Sequence, residues 1–149
     1  MTRAGVVVGG IGLAMVAATG VSSAYTYDGS DPSASGCAGG ATTVESATVK
    51  NGHVTLGTLV LRYSTACHTA WARLTLNQTQ GACGNASAGY DCAHAFVTRN
   101  NDGRSYNCTV YQGQSQCYTP MVYDKDMTSF AQAGIDDVWS YADTRTAAY

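Results

Sequence analysis

Apolar and polar residues alternate with a period of two over much of the chain beyond residue 40, and that period predicts strands. Leu59, Leu61 and Tyr63 share one face against Val60, Arg62 and Ser64 on the other. Ala72, Leu74 and Leu76 then alternate against Trp71, Arg73 and Thr75. Asn51-Gly52 separates residues 44–50 from residues 53–64. Asn-Gly suits the two positive-φ positions of a type I′ turn, so a hairpin is expected there. Residues 95–99 and 105–111 flank Asn100-Asn101-Asp102-Gly103-Arg104 as a second hairpin. Residues 118–123 and 128–133 suggest a third, around Asp124-Lys125-Asp126, with Pro120 placing its strand at an edge. The tail fits two periods: Ile135, Val138, Trp139 and Ala142 read as a helical stripe, whereas Trp139 and Tyr141 read as strand. No internal repeat is visible. The expected fold is all-β: a small disulfide-stabilised sandwich or partly open barrel of antiparallel hairpins, one domain over residues 41–149.

Two segments precede that domain. Residues 1–24 read as a signal peptide: Arg3 is the only charge, an uncharged run follows through Ala18, and Ser22-Ser23-Ala24 predicts cleavage after Ala24. The run is short and glycine-rich for a membrane span, which needs about 20 residues. The mature form is therefore expected to be secreted and to carry no membrane span. Residues 25–40 are rich in turn formers, with Asp28-Gly29-Ser30-Asp31-Pro32 as successive turns. They are expected to form a flexible N-terminal arm. Within it, Tyr25-Thr26-Tyr27 alternates like a strand able to add to a partner's sheet edge.

Six cysteines, Cys37, Cys67, Cys83, Cys92, Cys108 and Cys117, all follow the export signal and point to an oxidising compartment. Fifteen pairings are possible and spacing alone does not choose among them. Local pairing of 83 with 92 and of 108 with 117, each across turn formers, would leave 37 with 67. A zinc site from Cys67-His68 and Cys92 with His94 lacks the usual ligand spacing, so no metal or cofactor is expected.

Charged residues make up only 12% of the chain, and Glu45 is its sole glutamate, which disfavours long solvent-facing helices. Without Arg3, seven scattered cations stand against ten acidic side chains. No basic stripe forms, so nucleic acid is not an expected partner. His53, His68 and His94 sit in no nucleophile motif and read as bystanders. Asp124-x-Asp126 and Asp136-Asp137 read as solvated turn residues rather than calcium ligands. All ten tyrosines lie beyond the signal, and tyrosine supplies amphipathic contact area with few rotamers to freeze.

Three stretches carry a resemblance: Asp31-Pro32 to Gly36-Cys37; Leu61-Arg62-Tyr63-Ser64-x-x-Cys67-x-x-x-Trp71-Ala72-Arg73; and Tyr118-Thr119-Pro120-Met121-Val122-Tyr123-Asp124. Together they resemble a family of small exported actinobacterial (Streptomyces-like) proteins of unassigned function. The resemblance implies export, and it implies that Cys37 and Cys67 are the shared pair, with the other four cysteines added here. Physically, the central motif brings Arg62, Tyr63, Trp71 and Arg73 to one corner, either to pack the sheet and brace the disulfide or as an exposed aromatic–arginine patch.

These readings lead to a non-enzymatic binding module, an adaptor or accessory subunit of an extracellular or cell-surface assembly such as one used against competing bacteria. Its expected partner is another secreted or cell-surface protein, contacted through Tyr25, Tyr27, Trp71 and Arg73. The alternative is an inhibitor of secreted peptidases displaying a disulfide-braced loop, residues 84–91 or 109–116. A small secreted hydrolase ranks third.

Overall fold

The computed structural model describes residues 25–83, 92–137 and 140–149. The expected signal peptide, the 84–91 loop, Val138 and Trp139, and the side chains of Asp136 and Asp137 lie outside the described residues. Nine strands follow in order: β1 (Thr42–Asn51), β2 (Val54–Ser64), β3 (Thr69–Leu76), β4 (His94–Arg99), β5 (Ser105–Thr109), β6 (Gln116–Tyr118), β7 (Val122–Tyr123), β8 (Ser129–Asp137) and β9 (Ser140–Arg145). They form two antiparallel sheets, β1-β2-β3-β6 with β7 also on β3, and β5-β4-β8-β9. Neither sheet closes on itself, so the all-β expectation resolves as a sandwich rather than a closed barrel.

Alternation builds the interior. Leu59 and Leu61 of β2 and Ala70, Ala72 and Leu74 of β3 are fully buried. Across the sandwich they meet Ala95 and Val97 of β4, Ala131, Ala133 and Ile135 of β8, and Ala142 of β9. One layer is leucine-rich and the other alanine-rich, so large and small side chains interdigitate as dense packing requires. Each buried leucine contributes roughly 1.5–3 kcal/mol. At Gly57, opposite Leu76 in the β2–β3 ladder, an added Cβ would run into the Thr75 carbonyl.

The first hairpin forms where expected, but its turn is shifted by one residue. Asn51 pairs with Val54, which leaves Gly52-His53 as the two-residue loop, and Gly52 has φ +57°. A glycine at the first central position with no positive φ at the second suits a II′ connection rather than I′.

Residues 118–133 do not form a third hairpin. β6 and β7 both pair with β3 in the first sheet, whereas β8 pairs with β4 and β9 in the second. The intervening residues carry the chain between sheets, with Asp126 at φ +57° and the Asp124 side chain turned inward onto Ser129. The tail is strand: β8 and β9 pair from Gln132↔Arg145 to Asp137↔Ser140.

All six cysteines are oxidised, as Cys37–Cys67, Cys83–Cys92 and Cys108–Cys117. The last bridge ties β5 of one sheet to β6 of the other. No described helix is long and apolar enough to cross a membrane.

Candidate functional site

Residues 25–40 lie as a succession of turns against the outer face of the first sheet, not as an extended strand. Ser33 N and Ala34 N both donate to Asp31 Oδ1 at 2.8 Å, so the aspartate organises the turn that follows it. Gly29 N donates to Met121 O and Met121 N to Ser30 O, both at 2.9 Å. Beneath the segment, Cys37, Trp71 and Met121 form a second apolar cluster, with Tyr27, Ala38, Ala41 and Cys67 packed on it. Trp71 is only 4% exposed, because this segment covers it.

Asp28 fixes the segment at a further point. Its carboxylate receives Arg99 Nη1 at 2.9 Å and Nη2 at 3.0 Å, and Tyr123 N at 2.6 Å. Arg99 is fully buried. It also donates Nε and Nη2 to Asp102 at 2.9 and 2.6 Å, and Nη1 to the Tyr123 carbonyl at 2.9 Å. Its guanidinium carbon lies 4.5 Å from the Tyr25 ring centroid. These partners compensate the burial of the charge, as a buried cation requires. The Asp102 hydrogen bonds, above all, raise the Arg99 pKa against the opposing cost of burial. In return, the Arg99 bond holds the Asp102 carboxyl down at about 2.

Beside the covered tryptophan the same outer face stays open. A groove of about 1000 Å³ runs between Pro32 and Ser33 of the N-terminal segment and the Cys108–Cys117 loop. Its floor includes Arg62 and Arg73, and Tyr111 and Tyr118 stand at 63% and 43% exposure. Arg73 Nη2 donates to Gln116 Oε1 at 2.7 Å. Arg62 Nη2 donates to the Ala41 carbonyl at 2.6 Å and Nη1 to Thr43 Oγ1 at 3.0 Å. The loop wall is braced: Gly113 N reaches Gln80 O at 3.0 Å, Gln80 N reaches Gln114 O at 2.7 Å, and Gly113 takes φ +84°.

The sequence-predicted residues therefore separate. Arg73 is exposed in the groove, Trp71 forms its buried base, Tyr27 packs into the second apolar cluster, and Tyr25 sits on the Arg99 guanidinium, its ring 5.7 Å from that of Tyr123. Guanidinium–ring contacts occur at Arg99–Tyr25 and, 3.4 Å from the centroid, at Arg145–Phe130. Tyr118 was not anticipated in this role, whereas Tyr111 and Gln116 fall in the 109–116 loop named only for the inhibitor alternative. In the β3–β6 ladder Arg73 stands opposite Tyr118 and Thr75 opposite Gln116.

The histidines lie apart. His53 is an exposed turn residue, His94 Nδ1 lies 3.1 Å from the Cys92 carbonyl, and His68 Nδ1 lies 3.5 Å from Tyr63 Oη. Asp124 receives the Ser129 hydroxyl at 2.7 Å, but His68 offers this pair only its backbone carbonyl. Burial pushes the Asp124 carboxyl up to about 6, against the lowering effects of Ser129 and Arg99. Its Oδ2 has no hydrogen-bond partner among the described residues. No three or more described His, Cys, Asp or Glu side chains group as a metal site.

The chain belongs to the family described as "Protein of unknown function (DUF2690)", which matches residues 25–132. It is 40% identical over 116 residues to the uncharacterized protein YjfA of Bacillus subtilis (strain 168), spanning 72% of this chain and 69% of that one. No solved structure matches the chain.

Proposed function

We propose that this protein is an exported, non-catalytic binding module, an adaptor or accessory subunit of an extracellular assembly such as one used against competing bacteria. The groove beside Trp71 is its docking site for a partner protein. The observation that carries this reading is the braced groove with Arg73, Tyr111 and Tyr118 held at its surface. Rigid walls lower the ordering cost of association, and arginine and tyrosine are over-represented among residues that dominate binding energy. Three disulfides suit an oxidising compartment. The family match begins at Tyr25, directly after the expected cleavage site, and the central motif's likeness to small exported actinobacterial proteins supports export further.

The test is stoichiometric co-purification of tagged protein from culture fluid of the producing organism. Combined Arg73→Gln and Tyr118→Ala should abolish capture while the circular dichroism spectrum stays unchanged. Undiminished capture by the double variant would overturn the assignment of the groove. Turnover of a chromogenic hydrolase panel by the purified protein would overturn the non-catalytic reading. A second reading, peptidase inhibition, draws on the 63% exposure of Tyr111 within the disulfide-braced loop. Stoichiometric loss of protease activity on titration would favour it.

A further inference from the structure

We infer that the groove takes an acidic stretch of a partner polypeptide, its carboxylates read by Arg62 and Arg73. This rests on the groove being the binding site and names the chemistry it would read. Among the described residues the only charged side chains lining it are Arg62 and Arg73; no aspartate or glutamate does. That is a local inversion in a chain whose formal net charge is −2.

Among the described residues neither guanidinium meets a carboxylate. Both described salt bridges belong to Arg99, whereas Arg62 and Arg73 donate to a carbonyl, a hydroxyl and an amide oxygen. Those neutral acceptors fix the two forks in place and leave their charges uncompensated, the condition for bidentate carboxylate recognition.

Arg62 stands opposite Trp71 in the β2–β3 ladder, and Arg73 is two residues farther along β3 on the same face. Their side chains diverge from that seam, Arg62 toward Ala41 and Thr43 and Arg73 toward Gln116 of β6, so the two charges mark opposite sides of the groove floor and meet separate carboxylates of one crossing segment. Tyr111 and Tyr118 flank this line with amphipathic surface. Gln114 and Gln116 also line the groove, their amide oxygens taken by Tyr111 N and Arg73 Nη2.

Fluorescence anisotropy tests the inference, with the intact oxidised protein titrated against labelled peptides: alternating Glu-Thr and alternating Lys-Thr. The alternating acidic peptide should bind best and weaken with salt. Arg73→Gln and Arg62→Gln should each weaken it about tenfold, the scale of one charged hydrogen bond. Lys50→Gln, on exposed β1 outside the groove, should leave it unchanged. Equal binding of the Glu and Lys peptides would overturn the inference. So would tighter binding of oligogalacturonate through the same arginines, which would assign the groove to an acidic glycan. If the arginine variants abolish capture of the native partner yet no acidic peptide binds, the ligand class falls and the binding module stands. If capture ignores both arginines, both fall.

Discussion

Arg99 and Arg73 carry the same guanidinium into opposite surroundings. Arg99 is fully buried and meets Asp28, Asp102, the Tyr123 carbonyl and the Tyr25 ring. Arg73 is exposed and meets one glutamine oxygen. The first cation is spent on architecture: it ties the 25–40 segment to the second sheet, and removing it would strand two carboxylates. The second is positioned without being neutralised. In a protein with so few charges, an arginine lacking a carboxylate partner is a better pointer to a binding surface than an arginine as such.

Three substitutions break or sharpen the contrast. The largest effect is expected from Arg99→Met, which leaves Asp28 beside its backbone partners without a counter-charge; loss of one partner of a buried pair costs about 3–5 kcal/mol. Urea denaturation measures it, and Arg73→Gln in parallel should stay within about 0.5 kcal/mol. Equal losses would erase the distinction between the two sites.

Next is the double change Cys37→Ser and Cys67→Ser, which opens a bridge spanning 30 residues and should cost about 2–4 kcal/mol. Limited proteolysis then asks whether the Asp28–Arg99 contact alone retains the segment. Rapid cleavage within residues 25–40 is expected, because Trp71 and Met121 lose the covalent link that holds their cover in place.

The smallest effect belongs to Asp124→Asn. Asp124 is buried within reach of the Arg99 field, but that guanidinium is engaged by other carboxylates. With its folded pKa pushed up from 3.8 to about 6, the folded state holds this proton more tightly than the unfolded chain. The group's burial is therefore tolerated best below about pH 4, and stability declines as pH rises through about 6. Asn removes the ionisation, so the variant should gain stability at pH 8, within the ceiling of about 3 kcal/mol that the shift sets, and flatten the profile between pH 4 and 6. Thermal melts across that range measure it; an unchanged slope would show that Asp124 is not the titrating group.

Much of the first sheet was legible because its determinants are local. The alternation from Leu59 to Tyr63 and from Trp71 to Leu76 gives the faces directly, and a glycine marks the first turn. Which two residues form that turn depends on the Asn51↔Val54 pairing, so the sequence placed the loop one position early. Residues 118–133 carried strand and turn signals, but no local signal says that the chain leaves one sheet for the other at Asp124. The arm was misjudged for a related reason: its polar, turn-rich composition hides Asp28, whose partners are supplied by Arg99 and Tyr123 far along the chain. Arg73 was a candidate from its motif, but its isolation from the described carboxylates depends on every neighbouring element and was invisible.

The Asp28–Arg99 contact joins residues separated by 71 positions. A chain made from its N-terminus presents Asp28 long before Arg99 exists to receive it. The earliest described stretch to emerge must therefore be among the last to settle. Until it does, Trp71 stays uncovered and one side of the groove is missing, so the groove is complete only in the finished molecule.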